Sequence, residues 1–287
     1  MLNTFKTTVL MTALVAIFMT GGLLLGGRGG MLIALVIAGG MNFTMYWFSD
    51  KIILARYGAS EAPEGKYSRL HRIVSRLAAR AEISKPAVYI IPEDNPNAFA
   101  TGRNEENAAV AVTAGLLELL DEEELEAVVA HELSHIRNKD TLISVIAATM
   151  AGAISFLATM ARWGAMLGGF GGRGRRNNIF TVLIMSIVAP LAAMIVQLAI
   201  SRSREYKADR SAAQLTERPL ALASALQKLQ ETARKKPLQR GDKQTSHLFI
   251  VNPFSGDGFS KLFSTHPSVE DRVRELKKLK KGLITRK

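Results

Sequence analysis

Four stretches of the chain, residues 7–27, 29–49, 142–160 and 179–200, contain no charged side chain. Each offers the roughly 20 residues that a helix needs to cross a bilayer. A core helix of a soluble protein would show a polar face, and none of these has a charged one. The expected fold is therefore a mainly α membrane protein with about four transmembrane helices. The third stretch, rich in Ala, Gly and Ser, makes the weakest case for spanning. Lys6 gives the first the basic start of a signal peptide, but its apolar run is too long and a second follows at once. It reads as an anchor.

The formal net charge of +12 is concentrated toward the end of the chain, in Arg234, Lys235, Lys236, Arg240, Lys243 and the tail from Lys277. Such a balance suits nucleic acid or an anionic membrane surface. With apolar spans present, membrane lipids with acidic head groups are the simpler partner. No nucleic-acid motif accompanies the charge, so no nucleic-acid partner is expected. Cysteine is absent, which excludes disulfides and thiolate ligands alike.

His131-Glu132-Leu133-Ser134-His135 carries the chemistry. Residues four apart share one face of a helix, so both imidazoles can grip one metal ion. The Glu132 between them then lies close enough to a metal-bound water to take its proton, the zinc-peptidase arrangement. A helix that merely carries these side chains on its surface is the plain alternative. The flanking sequence favours a built helix: Asp121 is a good N-cap, and Glu122, Glu123 and Glu124 complement the dipole of the first turn. Leu125, Val128, Val129 and Leu133 recur at helical spacing and would bury one side.

Read in order, the chain predicts an N-terminal transmembrane hairpin (1–50), turned at Arg28, and a polar domain split between 51–140 and 201–287. Between the polar parts lies a second apolar hairpin (141–200), transmembrane or partly inserted. The first polar part reads as a helix over 66–83, ended by Pro86, then strands at Ala87–Ile91 and Ala108–Thr113. Asn95-Pro96-Asn97 between them is turn chemistry, and Gly102 punctuates the far end. Residues 161–178, rich in Gly and Arg, read as a flexible connection. The second polar part predicts helices over 203–215, 219–233 and 269–281, the last capped by Ser268. More Lys and Arg flank the span ends on the side of the polar domain than on the other, which places that domain in the cytosol. The arginine-rich 161–178 loop counts against this, unless the second hairpin stops short of crossing.

A catalytic zinc needs a third protein ligand and an open position. His71, His247, His266 and any well-placed carboxylate are eligible, and Glu205 is the best. Leu142 starts the third apolar stretch about 10 Å of helix past His135, and Glu205 lies roughly 8 Å past Ile200. An antiparallel hairpin would bring the two ends out side by side. Asp209, one turn after Glu205, could accept a hydrogen bond from a liganding imidazole and fix its tautomer. A solvated mixed-charge helix, with Glu205 and Asp209 paired to Arg202 or Arg210, is the competing account.

These features together resemble the HtpX membrane metallopeptidases, relatives of the CAAX prenyl endopeptidases. The likeness covers nearly the whole chain: the two N-terminal spans, the 131–135 motif, Ser203 to Asp209, Asn97 to Gly102, and Thr265-His266-Pro267. It implies an α+β, zincin-like peptidase domain with a small β-sheet, facing the cytosol from the bacterial inner (plasma) membrane in a multi-pass protein. It implies one Zn2+ per chain held by His131, His135 and Glu205, with Glu132 as catalytic base. The substrates implied are damaged or misfolded membrane proteins and unfolded polypeptides, a task of stress response and protein quality control. Asn97, Phe99 and Ala111 fall on the implied substrate-binding edge, and His266 lies near the implied site, where a loop-packing role is as well supported. Two rivals stand beside this reading. One is a zinc-stabilised membrane scaffold or adaptor without turnover, disfavoured because a structural site has no use for Glu132. The other is a prenyl-protein processing enzyme, disfavoured because four spans are too few to enclose an intramembrane chamber. No oligomeric state follows from the sequence.

Overall fold

The computed structural model describes residues 2–144, 146, 202–235, 250 and 267–284. They fall into two compact units, one of residues 2–42 with 146, the other of residues 43–144 and those from 202 onward.

Helix α1, Leu2–Arg56, runs through both units. At about 1.5 Å per residue, a straight helix would hold Met11 and Asn42 roughly 46 Å apart. Instead Asn42 Nδ2 donates to the Met11 carbonyl at 3.1 Å. The reversal falls at Gly27, whose φ of 60° lies in the left-handed region that Gly reaches without strain. Past this bend the arms touch at Gly22 and Gly30, where a Cβ on Gly22 would lie 2.4 Å from the Gly30 carbonyl oxygen. The predicted turn at Arg28 is thus present, one residue early. Leu32, Ile33 and Val36 on the second arm are 59%, 64% and 75% exposed, an apolar surface that a soluble core helix would not leave uncovered.

Among the described residues one helix, Gly27–Arg56, is long and apolar enough to cross a membrane, and Thr7–Thr20 is a shorter apolar helix. Most of the expected third stretch and all of the fourth lie outside the described residues, as do the 161–178 connection and His266.

The second unit holds a four-stranded mixed sheet in the order β1-β2-β4-β3. Its strands are β1 (Ser60–Glu61), β2 (Ala87–Ile91), β3 (Ala98–Gly102) and β4 (Ala108–Thr113). β2 and β4 are parallel, and β1 and β3 are antiparallel outer strands. β2 and β4 lie where the sequence places them. β3 does not follow from the sequence, which reads Asn95-Pro96-Asn97 as turn chemistry and predicts no strand between there and Gly102. All five of its residues are buried, and pairing with β4 supplies what its alanines lack in intrinsic strand preference. Gly102, at φ 132°, closes the hairpin so tightly that a Cβ would sit 2.2 Å from the Asn107 carbonyl oxygen.

Helix α2 (Ser68–Ala81) buries Leu70, Ile73, Val74 and Leu77 at helical spacing. The short α3 (Ala114–Leu119) follows β4, capped by the Thr113 hydroxyl. Helix α4 (Glu122–Arg137) is the core of the unit. Asp121 and Glu124 form a reciprocal capping box at its start. The Glu124 carboxylate also accepts from Ser224 Oγ and Lys228 Nζ, each at 2.7 Å, which pins the start of α4 to the helix Pro219–Lys235. The sequence predicts one buried side, yet nearly the whole helix is enclosed, Glu132 and His131 included. Helix α5 (Arg202–Thr216) extends its predicted span by one residue at each end, while α6 (Pro219–Lys235) and α7 (Val269–Ile284) start where predicted and run two and three residues further. The Ser268 hydroxyl accepts from the Asp271 N–H, as its N-cap role requires.

Candidate active site

His131 and His135 lie one turn apart on α4, and Glu205 reaches them from the first turn of α5. The two Nε2 atoms are 3.2 Å apart. Glu205 Oε2 stands 3.6 Å from His131 Nε2, and Oε1 stands 3.6 Å from His135 Nε2. One ligand atom from each of the three residues falls within a 4.8 Å span. A tetrahedral zinc with bonds of about 2.0–2.1 Å separates its ligand atoms by about 3.4 Å. The donor set, two imidazole nitrogens and a carboxylate oxygen, and its spacing both fit such an ion. His71 stays out of the group, since its Nε2 meets the Ala62 carbonyl oxygen at 2.8 Å.

A metal demands that each imidazole turn a lone pair inward, and two acids enforce it. His131 Nδ1–H donates to Asp209 Oδ1 at 3.0 Å, and His135 Nδ1–H donates to Asp140 Oδ2 at 3.3 Å. With the protons held on Nδ1, both Nε2 lone pairs face the same point. Asp209 is therefore where the sequence puts it. Asp140 was missed: it follows α4 directly and looks like a loop residue, but it is buried.

Each acid has an arginine behind it. Arg204 Nη1 stands 3.7 Å from Asp140. Arg272, from α7, grips Asp209 with two bonds, Nε to Oδ2 at 2.8 Å and Nη2 to Oδ1 at 2.6 Å. It is 1% exposed, and its Nη1 also donates to the Ile250 carbonyl. Burial works against a charged guanidinium, but Asp209 and Glu205 more than offset this and raise the Arg272 pKa. Burial likewise pushes Asp209 up, and Arg272 with His131 brings it below the ordinary value. Arg272 is absent from the residues that the sequence singles out. A signal exists: it shares a face with Val269 and Leu276, three and four residues away, and both are buried.

Glu132 is buried among these groups. Its carboxyl pKa is raised, first by burial and then by Glu205, while the two imidazoles and the Ala100 N–H pull the other way. A base poised above the usual carboxylate range suits proton transfer near neutrality.

The Ala100 N–H ties Glu132 to β3. The Thr113 N–H donates to the Asn97 carbonyl, so odd-numbered residues of this ladder turn their backbone groups toward β4. Even-numbered residues turn theirs to the outer edge, and Ala100 there meets Glu132. Of the three residues read as substrate contacts, Ala111 lies inside the sheet. It sits on β4, paired on both sides, and its backbone has nothing left to offer. Phe99 is fully buried with its ring 5.6 Å from that of Tyr57, a core contact. Asn97 is buried too, its N–H donating to the Thr113 hydroxyl. On the outer edge of β3 the Ala98 N–H donates to Asn97 Oδ1 at 3.0 Å and the Ala100 N–H meets Glu132, so the edge is offered by carbonyl groups.

The sequence profile of peptidase family M48 matches residues 64–280. A protease HtpX homolog of Salinibacter ruber is 50% identical over 280 residues, covering 97% of this chain and 98% of that protein. One of Campylobacter hominis is 52% identical over 97% of this chain and 99% of its own, and one of Pyrococcus abyssi 51% over 96% and 95%. Among solved structures, Ste24p of S. mikatae aligns with a TM-score of 0.51 at 17% identity. The alignment covers 94% of this chain and 62% of Ste24p, a likeness of fold.

Proposed function

The chain belongs to peptidase family M48, among its HtpX-type proteases, and on that footing we propose a membrane-bound zinc endopeptidase that cleaves damaged or misfolded membrane proteins. One observation carries the reading: His131, His135 and Glu205 converge within 4.8 Å beside the buried carboxylate of Glu132. His131, His135 and Glu205 would hold the ion, and the choice of zinc rests on the nitrogen–oxygen donor set and its spacing. Zinc supplies Lewis-acid activation of water and of the scissile carbonyl.

Glu132 takes the water proton onto its carboxylate, holds it in a buried setting that favours the neutral acid, and delivers it to the leaving amine nitrogen. Asp209 and Asp140 keep both imidazoles in the tautomer that binds. The substrate peptide lies extended along the outer edge of β3 and donates its own N–H groups to the main-chain carbonyls of Ala98 and Ala100. Such contacts carry little side-chain information, so sequence preference is loose. The protein is multi-pass, with apolar hairpins at 1–50 and 141–200 and the peptidase domain, 51–140 with 201–287, in the cytosol at the bacterial inner membrane. The balance of Lys and Arg around the span ends supports that orientation.

Zinc content and casein-type proteolysis, compared for the wild type, Glu132→Gln and Glu205→Ala, test the assignment. Glu132→Gln keeps its zinc and loses about 10²- to 10⁴-fold in turnover, while Glu205→Ala loses the metal. Undiminished turnover in Glu132→Gln would remove the base, and turnover absent from a zinc-loaded wild type would favour the scaffold reading.

A further inference from the structure

The turn that ends β3 is fastened to the foot of two apolar segments. Gly102, its last residue, accepts a hydrogen bond from the Thr141 hydroxyl at 2.9 Å. Thr141 immediately precedes the uncharged stretch 142–160. Next along the turn, Arg103 lies over the Trp47 ring, 4.8 Å from its centroid, and its Nη1 donates to the Trp47 carbonyl at 3.3 Å.

Trp47 stands where α1 leaves the lipid. From Arg28, a 30 Å hydrocarbon core takes about 20 helical residues, which ends at Phe48. Phe43, Tyr46, Trp47 and Phe48 are 59%, 36%, 44% and 42% exposed, and Asp50 and Lys51 follow. Exposed aromatics just before the first charges mark the head-group level of a bilayer.

The residue of β3 beside the base is Ala100, at mid-strand, whose N–H meets Glu132. Arg103 is three residues away, or about 10 Å of extended chain. A peptide paired with this edge has the same rise per residue, so its scissile bond lies that far from the head groups. Resting on the peptidase reading above, we propose that the β3 edge acts as a ruler: the preferred substrates are membrane-anchored polypeptides, cut about three to five residues from the end of a span. The fastening at Thr141 and at Trp47 keeps the distance fixed while the edge backbone leaves the sequence free.

The test uses the full-length, zinc-loaded protein in liposomes of phosphatidylethanolamine and phosphatidylglycerol. A single-span substrate carries one unfolded segment, set back from its span by Gly-Ser spacers of about 2 to 20 residues. Mass spectrometry maps the cuts, and the same segment without a span competes in the same tube. Cuts should stay within about three to five residues of the span as the sequence slides past. The anchored form should be cut about tenfold or more faster than the free segment. Trp47→Ala combined with Arg103→Ser should broaden the cut positions while leaving cleavage of the free segment in detergent within about twofold. Cut sites that travel with the sequence, or equal rates for anchored and free segments, overturn the ruler while leaving the peptidase standing. No cleavage of either substrate in detergent removes the peptidase reading and the ruler together.

Discussion

Replacing Arg272 with Met separates the stability of the site from its affinity for metal. Three of the Arg272 nitrogens are engaged, two by Asp209 and one by the Ile250 carbonyl, and the residue is 1% exposed. Met keeps much of the apolar length but takes both guanidinium hydrogen bonds from the Asp209 carboxylate, itself 2% exposed, and leaves it the His131 imidazole as partner. Breaking a buried pair by removing one partner costs about 3–5 kcal/mol. For a folded unit of this size each kcal/mol moves the melting midpoint by about 2–4 °C, so Arg272→Met should melt roughly 6–20 °C lower. The double variant Arg272→Met with Asp209→Asn removes both charges and keeps an acceptor for His131 Nδ1–H. More than half of the lost stability should return. Metal affinity should not, because a neutral amide supports the imidazole less well than a carboxylate, and a loss of about 10- to 100-fold is expected. Thermal melts of metal-free protein in detergent give the first quantity, and zinc competition against a chelating dye gives the second. A single variant that loses less than about 1 kcal/mol, or a double variant no more stable than the single, would refute the reasoning.

Asp140→Ala should lower zinc affinity by about 10- to 100-fold while leaving the fold intact, since His135 loses the acceptor that sets its tautomer; unchanged affinity in the dye competition would remove Asp140 from the site. Burial opposes a charged His131, but hydrogen bonds to Asp209 and Glu205 prevail and raise its pKa to about 9 in the metal-free protein. Metal must displace that proton, so affinity should fall about tenfold per pH unit below about 9, and a flat titration would contradict it. The same shift has the opposite sense for the metal-free fold: its stabilisation is complete below the unfolded value of about 6.5 and drains away as pH rises through about 9.

The legible part of the site was the part written in local spacing. His131 and His135 announce themselves by a four-residue interval, Asp121 by its place before a run of acids, and Asp209 by its interval from Glu205. Glu205 needed a second step, the folding back of an apolar hairpin that lies almost wholly outside the described residues, and it does stand beside both imidazoles. What stayed hidden depends on tertiary partners. Ala98-Phe99-Ala100-Thr101-Gly102 lacks the β-branched alternation of a strand and becomes one through β4. Asp140 and Arg272 are ordinary charged residues until burial brings each against a carboxylate or an imidazole. The expected spans are legible by composition, and of the described residues Gly27–Arg56 has the length and character to cross.

Translation reaches His131 well before Arg272, which follows 141 residues later. At about 5–20 residues per second the interval is roughly 7–30 s. For the first 74 residues of it a nascent copy has both imidazoles and the base but no Glu205, and once Asp209 is made it still has no Arg272 to settle it. Competence to cut is thus acquired last, when the closing helix is laid down, and an unfinished chain on the ribosome carries its blade unsharpened.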